Sequence, residues 1–499
     1  MPSQNLIFTR NGRLEAESEA TFEGMFDRLA AAEQPRLLLF MHGGLVNEEV
    51  GIDTARKLMV EFAPLVQEGW ETVFPVWRSG LGETIRNNQD ELATEPGFVR
   101  SILRLAEWID SQLGGGAIDK AFIAFESIDT ARLELEKWDD IDPATVEERL
   151  ARKAGELGRT RNVEGLTDLH LGETELASAL LADPAFVAQF TGDLPMVDPE
   201  MRERVLAARA VPLNDAATML QSAEPGALVV ALGIVRAGYR VLNRLLARRG
   251  HGVWPTVVEE VISAIYLDQV GAAAWDQMKR DARQHFDGGG AGARLLDGLA
   301  RIAGTGKQVR VITIGHSAGS VFTARLAREA VDAPHSLVID QILLAPAVRI
   351  DEAVGPLLSG RVDGLRIFTM SDAYEQANHL DDSPFGQLYH RSLLCLISGV
   401  LERDESARYP DAPLLGMARH LDPAYRPTRK ERASLDKLAA VFASHPHPVV
   451  FSPTPQSSPP GSQTASRRHG CYWGDSQTLD SVRWIARNGM TRTHNRSTT

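Results

Sequence analysis

The sequence predicts an α/β protein in which a mostly parallel central sheet is flanked by helices and carries a large helical cap insertion. Short apolar segments typical of buried strands alternate with helical patterns near both ends of the chain, whereas strand signals nearly vanish between residues 83 and 286. A strand–turn–helix pattern also occurs at Val309–Ser320, which reads VRVITIGHSAGS. Strands that alternate with helices in this way are typical of a parallel sheet.

The N-terminal part of the predicted sheet lies in residues 1–82. Arg36–Met41 is a short apolar run that ends at a histidine and two glycines, and Thr72–Trp77 is a second apolar run. Between them, Asn47–Glu68 places apolar side chains at helical spacing. This arrangement predicts a parallel βαβ unit, and Asn5–Arg10 is a candidate for a further strand.

The C-terminal part of the predicted core lies in residues 287–490, followed by a polar, flexible tail at 491–499. A helical pattern at Ala293–Ala303 leads into the strand of the GHSAG segment. A terminal helix follows Asp475 or Ser476, either of which can act as its N-cap. Three further strands are predicted at Leu337–Leu344, Leu365–Met370 and Pro448–Ser452.

Residues 83–286 are predicted to form the helical cap. Charged, Ala- and Leu-rich segments dominate it, such as Ala131–Leu157 and Glu173–Phe190. Trp254, Trp275 and Met278 are predicted to pack the cap onto the core. A role of these three side chains in a substrate pocket is the alternative.

An arginine stripe is predicted on one helix face of the cap, because arginines recur at every fourth position. We interpret it as a solvated face that pairs with nearby acids such as Glu259 and Glu260. An acyl-binding lid that meets anionic headgroups or a phosphorylated substrate is the alternative. The stripe consists of Arg236, Arg240, Arg244 and Arg248.

The segment Gly315–Gly319 is the most informative functional signal of the chain. A G-x-S-x-G pattern between a β-branched strand and an Ala- and Leu-rich helix is typical of a nucleophile elbow. The turn is too tight for side chains two residues to either side of the serine, which explains the glycines. We therefore predict that Ser317 is a nucleophile at the tip of a strained bend; a Gly/Ser turn without chemistry is the alternative.

The predicted base is His469. A serine hydroxyl is a weak nucleophile and needs a base, usually a histidine that a carboxylate orients. Of the 13 histidines, His469 fits best, because it follows the last predicted strand and precedes the terminal helix. His445 and His447 lie before that strand, at the wrong end of the sheet. A surface-loop histidine without chemistry is the alternative for His469.

The predicted acid is Asp372. It follows the strand Leu365–Met370, where a carboxylate would project from the carboxyl edge of the sheet. Asp351, which follows the preceding strand, and Glu375 are the other candidates. Since Asp is common as a helix N-cap, a purely structural role is the alternative for Asp372.

Two backbone N–H groups are predicted to form an oxyanion hole for a tetrahedral intermediate. One belongs to Ala318, the residue after the nucleophile. The second comes from Gly43 or Gly44, together with Leu45, in the loop after the first apolar strand of the βαβ unit. Glycines allow a substrate to approach the backbone closely. His42 is predicted to be a structural hydrogen-bonding residue.

With these motifs the chain resembles the α/β-hydrolase superfamily, specifically its serine hydrolases of the esterase/lipase type. The motifs LLLFMHGG, VITIGHSAG, LRIFTMSD and RHGCYW carry the resemblance, which leaves the cap unmatched. It implies an α/β-hydrolase fold and a two-step acyl transfer. Ser317 would attack an ester or thioester carbonyl while His469 takes its proton, and Asp372 would hold the imidazole tautomer. Water would then attack the acyl-enzyme.

Other functions use the same residues. A catalytically silent protein of this fold whose cap binds a ligand or a partner is one alternative, and an acyltransferase or peptidase with the same triad is another. The presence of the serine, the late histidine, the aspartate after a strand and the HGG turn favours a serine hydrolase. The expected partner is a small-molecule or lipid-like acyl substrate.

Composition limits the other partners. The formal net charge is −13, with acids and bases spread along the chain, which argues against a nucleic-acid binder. Cys395 and Cys471 cannot supply a disulfide framework and we see no signal peptide, so a cytoplasmic location is expected.

No membrane span is predicted, because the longest apolar segment, Gly226–Val235, is about half the ~20 residues that a span needs. Peripheral membrane contact through the cap is the alternative. Because no metal-binding or phosphate-loop motif is present, neither a metal nor a cofactor is predicted.

Overall fold

A computed structural model describes the two predicted parts of the core and part of the predicted cap. Of the predicted cap helices, Ala131–Leu157 lies outside the described residues, and Glu173–Phe190 lies outside them apart from residues 180–181. The predicted tail and Gly44 also lie outside them. The described residues are 5–43, 48–77, 89–90, 92–93, 96–112, 180–181, 225–266, 272–359, 361–380, 383–403 and 409–490.

An eight-stranded sheet lies at the centre of the structure, in the order β2-β1-β4-β3-β5-β6-β7-β8. The edge pair β1–β2 is antiparallel, and every other neighbouring pair is parallel. The strands are β1 (Leu6–Arg10), β2 (Arg13–Leu14), β3 (Arg36–Met41), β4 (Glu71–Trp77), β5 (Val309–His316), β6 (Leu337–Leu344), β7 (Gly364–Met370) and β8 (Val449–Ser452). The predicted α/β class with a mostly parallel sheet is therefore confirmed.

Helices connect these strands and cover the sheet. They are α1 (Glu19–Ala31), α2 (Glu48–Glu61), α3 (Ala63–Gln67), α4 (Pro96–Gln112), α5 (Pro225–Leu246), α6 (Val253–Val261), α7 (Ala272–Gln284), α8 (Ala291–Gly304), α9 (Gly319–Glu329), α10 (Ile350–Leu358), α11 (Asp372–Ala377), α12 (Pro384–Leu388), α13 (Leu393–Leu396), α14 (Arg429–Ser444) and α15 (Ser476–Asn488). Shorter turns are the 3₁₀ segments Ala16–Ser18, Ala418–Leu421 and His469–Gly474 and the π-helical segments Ile262–Tyr266 and Ile397–Leu401. In the described ranges, no helix is both long and apolar enough to cross a bilayer.

The central strands form because their side chains are apolar on both faces. In β3, every side chain after Arg36 is buried, and β6 has one partly exposed side chain only. Continuous apolar runs of this kind are typical of parallel strands that helices cover on both faces. Asp475 caps α15, since its carboxylate accepts a hydrogen bond from the N–H of Thr478.

The described part of the predicted cap is helical and packs on the C-terminal part of the core. Trp254 and Trp275 are buried, and their indole N–H groups donate to Leu388 O at 2.9 Å and to Glu402 Oε1 at 2.7 Å. Met278 is buried in the same hydrophobic core. The prediction that these three side chains pack the cap onto the core is confirmed.

The prediction of a solvated arginine stripe is wrong for Arg244. Arg244 is fully buried and forms ion pairs with Glu259 at 2.7 Å and Glu260 at 3.0 Å. Its pairing with these two acids is as predicted, whereas its burial is not. Arg248 lies beyond the end of α5, in a left-handed conformation with φ 57°. Arg236 and Arg248 are exposed, as predicted, and Arg240 is partly exposed.

Candidate active site

The candidate site lies where the chain order of the strands reverses. From β3 the chain continues outward to β4 on one side of the sheet, whereas β5, on the other side of β3, continues outward to β6, β7 and β8. The connections after β3 and β5 therefore diverge and leave a crevice at the carboxyl ends of the two strands. Ligands of open α/β sheets bind at such a switch point.

Ser317 lies in the turn between β5 and α9, at this crevice. Its backbone is left-handed, with φ 51°, a conformation that a residue with a side chain adopts at a cost of about 1–3 kcal/mol. The serine N–H donates to Leu344 O at 2.9 Å, and its carbonyl accepts from the N–H groups of Ser320 at 3.0 Å and Ala347 at 3.1 Å. These three backbone hydrogen bonds hold the strained turn in place.

Close packing explains the two glycines of the G-x-S-x-G pattern. A Cβ at Gly319 would lie 2.2 Å from Met41 O, and a Cβ at Gly315 would lie 2.9 Å from Thr323 Oγ1. Any side chain at position 319 would collide with the backbone of β3. The crossing of α9 over β3 therefore requires glycine at this position.

The loop after β3 runs beside Ser317. Because Met41 is paired with Gly315 in the β3–β5 register, Gly43 lies alongside Ser317 two residues later. A Cβ at Gly43 would approach the Ser317 Cβ to 3.3 Å. The structure thus brings one predicted oxyanion-hole residue next to the serine, whereas Gly44 lies outside the described residues.

Ala318 precedes α9 as its N-cap residue. The N–H groups at the start of a helix have no intrahelical partner and point away from the helix, where they can bind an anion. The Ala318 N–H belongs to this group of N–H groups at the start of α9. Its side chain is fully buried.

Three buried histidines surround the elbow. His42 Nδ1 lies 2.6 Å from Gly43 O, and the Nε2–H of His316 donates to the carbonyl of His469 at 3.0 Å. The rings of His316 and His469 lie 5.3 Å apart. His469 is therefore adjacent to the elbow, although it lies about 150 residues away in sequence.

Burial keeps these imidazoles neutral. It lowers the pKa of His42, and it lowers the pKa of His316 to about 4 despite the hydrogen bond to the His469 carbonyl. Burial, followed by the proximity of His316, lowers the pKa of His469 well below its ordinary value. A neutral imidazole is the form that can accept a proton from a serine hydroxyl.

The ring of His469 has no hydrogen-bond partner among the described residues, at either Nδ1 or Nε2. The predicted acid Asp372 is the first residue of α11, and its carboxylate accepts from Gln376 and lies 3.7 Å from Arg419. The structure therefore does not join Asp372 to His469. Asp372 instead faces a surface cavity of about 540 Å³ that Arg248, Arg419 and Tyr425 also line.

The two other candidate acids have different environments. Asp351 forms a bidentate ion pair with Arg349, at 2.9 and 3.0 Å, and this pair outweighs burial and lowers the pKa of Asp351. Glu375 lies one turn after Asp372 and is only 1% exposed, with neither carboxylate oxygen hydrogen-bonded in the described structure. Burial, assisted by the charge of Asp372 and opposed by the Ser392 hydroxyl, raises the pKa of Glu375 to about 8.

Among the described residues, no group of three or more His, Cys, Asp or Glu side chains is arranged to hold a metal ion. Cys471 is an exposed free cysteine. It lies in the 3₁₀ segment His469–Gly474, in which His469 and Tyr472 are the buried residues.

A second buried polar cluster was not predicted. Arg249 donates to both carboxylate oxygens of Asp411, at 2.9 and 3.0 Å, and to Glu431 at 2.8 Å. Arg244, Glu259 and Glu260 adjoin it, and we call these six residues the arginine cluster. The only sequence signal for it is the density of arginines between positions 236 and 249, because the acids at 411 and 431 are far away in sequence.

Comparison of the chain with known protein families, with curated proteins and with solved structures found no match. The function of the site therefore has to be inferred from its own geometry.

Proposed function

We propose that this protein is a serine hydrolase of the α/β-hydrolase fold that cleaves ester or thioester bonds. The observation that carries the proposal is the left-handed backbone of Ser317, in a strand–turn–helix at the switch point of a parallel sheet. Such strain persists where the surrounding structure imposes it and is concentrated at active sites. The loop after β3, which supplies the second oxyanion donor in nucleophile-elbow enzymes, lies beside this serine.

The proposed reaction has two steps. Ser317 Oγ attacks the carbonyl carbon of the substrate while a ring nitrogen of His469 takes the hydroxyl proton. The N–H groups of Ala318 and Gly43 stabilise the oxyanion, and the leaving alcohol or thiol departs with the proton from His469. Water then attacks the acyl-enzyme, His469 takes the water proton, and Ser317 Oγ recovers it as the acid leaves.

One observation favours a second candidate, a silent protein of the same fold that binds a ligand. The His469 ring has no hydrogen-bonded carboxylate among the described residues, and an unoriented imidazole is a poor base. A labelling experiment separates the two candidates, because only an activated serine reacts with a fluorophosphonate.

We expect the wild-type protein to be labelled by a fluorophosphonate probe and to hydrolyse short p-nitrophenyl esters. Ser317→Ala should abolish both reactions. The matched control is Ser336→Ala, because Ser336 precedes β6 at the opposite, amino end of the sheet. The proposal would be contradicted if the folded wild-type protein is not labelled, or if the Ser317→Ala variant is still labelled. The second candidate function, a silent ligand-binding protein, would then be favoured.

A further inference from the structure

Three buried side chains in the connections after β7 and β8 retain polar atoms without hydrogen-bond partners in the described structure. They are Glu375, at both carboxylate oxygens, His469, at both ring nitrogens, and Tyr472, at its hydroxyl. An unsatisfied buried polar group costs about 1–3 kcal/mol, so three in one region require an explanation. A catalytic arrangement that closes during the reaction is one of the recognised explanations.

The three side chains belong to connections that leave the sheet at the same edge. Strands β7 and β8 are parallel neighbours, with Met370 paired to Ser452, and the Ser371 N–H donates to Ser452 O at 3.3 Å. Glu375 follows β7 in α11, and the 3₁₀ segment with His469 and Tyr472 follows β8. The acid and the histidine therefore emerge from adjacent strands.

The local helix geometry places two of the three side chains, His469 and Tyr472, on one buried face. Side chains three residues apart in a 3₁₀ helix eclipse each other, so His469 and Tyr472 share a face, and both are buried. Burial, followed by the charge of Glu375 and opposed by the Ser452 hydroxyl, raises the pKa of Tyr472, so Glu375 lies close enough to Tyr472 for their charges to interact. In contrast, the Asp372 side chain is 36% exposed and lies beside Arg419.

We propose that Glu375, rather than Asp372, is the positioning residue that orients the imidazole of His469. The inference rests on the proposed roles of Ser317 and His469. A carboxylate at Glu375 accepts a hydrogen bond from Nδ1–H of His469, which leaves Nε2 free to take the proton of Ser317 Oγ. This hydrogen bond satisfies polar atoms on both residues.

The protonation of Glu375 gives the proposal a distinct pH dependence. Its pKa of about 8 means that the carboxyl is mostly protonated at neutral pH, and a protonated carboxyl cannot accept from Nδ1–H through the same oxygen. The groups that face it are Asp372 on its own helix, Ser392 and Cys395 around α13, and Tyr472. Labelling of Ser317 should therefore accelerate as the pH rises toward 8, because Glu375 ionises over that range.

The test compares two single substitutions on one helix, Glu375→Gln and Asp372→Asn, by the rate of fluorophosphonate labelling between pH 5.5 and 9. We expect Glu375→Gln to lower the rate by about 100-fold or more and to abolish its rise with pH, because the imidazole loses its orientation. Asp372→Asn should keep the rise and stay within about 3-fold of wild type. A purely structural role of Glu375 would change thermal stability and leave the pH profile intact.

The outcomes separate this inference from the proposed function. If Asp372→Asn loses the activity and Glu375→Gln retains it, or if both lose it equally, the inference is overturned while Ser317 remains the nucleophile. If wild type is not labelled, the proposed function fails and the inference with it. Should Glu375→Gln not fold, Glu375→Asp replaces it: the shorter carboxylate must keep a labelling rate that rises with pH, and a flat profile overturns the inference.

Discussion

The arginine cluster and the group formed by Glu375, His469 and Tyr472 are both buried, yet they are built in opposite ways. In the arginine cluster, cations and anions alternate, and Arg244 contacts Glu259 and Glu260 at 2.7 and 3.0 Å. In the second group, which we call the unpaired cluster, the polar atoms of three side chains have no hydrogen-bond partner in the described ranges. The ion pairs of the arginine cluster offset the cost of burying its charges, although Arg244 Nε and Glu259 Oε2 form no hydrogen bond either.

This difference indicates what each cluster does. The arginine cluster joins α5 and α6 to residues 411 and 431, so it fastens the described part of the predicted cap to the C-terminal core. The neighbouring charges also keep Glu259 ionised. Burial raises the pKa of Glu259, but His251 and Arg244 outweigh this effect and lower the pKa to about 2. The unpaired cluster retains its free-energy cost, and its member His469 lies next to the elbow, which is typical of residues that pair during a reaction.

The largest change in the free energy of unfolding is expected when an ion pair of the arginine cluster is removed. Arg244→Met removes the counter-charge that the buried carboxylates of Glu259 and Glu260 share, leaving them with His251 and Arg403 respectively, and should lower the free energy of unfolding by about 3–5 kcal/mol. Urea denaturation at pH 7 measures the change. Arg236→Met, on the same helix but exposed, is the control and should stay within about 0.5 kcal/mol of wild type. Equal stability of the two variants would show that the cluster does not hold the cap.

A smaller change in the free energy of unfolding, of opposite sign, is expected when Glu375 of the unpaired cluster is replaced. Glu375 holds its proton up to about pH 8 in the folded protein, whereas the unfolded chain releases it near the ordinary value of 4.5. The unfolded state therefore binds fewer protons between these values, so this residue lowers stability as the pH rises through that window.

Glu375→Gln should remove this loss and raise the free energy of unfolding by about 1–3 kcal/mol at pH 8, with a smaller gain at pH 5. Urea denaturation at both values checks the sign, and Asp372→Asn is the control. A gain that is the same at both pH values would contradict the assignment of a buried, protonated carboxyl.

The smallest effect is expected at the loop beside the serine. A methyl group at Gly43→Ala would lie 3.3 Å from the Ser317 Cβ and displace the loop by a few tenths of an ångström. We expect fluorophosphonate labelling to slow by about 10-fold, or about 1.4 kcal/mol in activation free energy. Gly355→Ala in α10, where an added Cβ meets no atom within 4 Å, should leave the rate unchanged. A wild-type rate for Gly43→Ala would argue against a role of this loop in the reaction.

Most of the sheet could be predicted from sequence, and the failures have physical reasons. The strands predicted in β3 and β6 match the structure to the residue, because buried parallel strands are apolar runs bounded by turn residues. The edge strand β2 has only two residues, Arg13 and Leu14, which is too short for any periodicity to indicate it. The predicted helix at Asn47–Glu68 is two helices, α2 and α3, with Pro64 in the first turn of the second.

Some residues of the candidate site could likewise be predicted from sequence, and others could not. Ser317 and its glycines could be located from sequence, because a tight strand–turn–helix requires small residues at fixed spacing. The choice among Asp372, Asp351 and Glu375 could not, since all three lie just after a strand. Their environments separate them: one is at the surface, one is paired with Arg349, and one is buried without a partner.

The sequence by itself determined the α/β class, the central strands and the strained serine turn. Each of these depends on residues that are close together along the chain, namely apolar runs, helical spacing and the glycines at 315 and 319. Tertiary structure alone decided that Arg244 and Arg249 are buried, that His469 lies beside the elbow, and that Glu375 points inward where Asp372 points outward. These features depend on contacts between distant segments, and burial, which sets both the pairing of charges and the protonation of the unpaired cluster, exists only once those segments have packed.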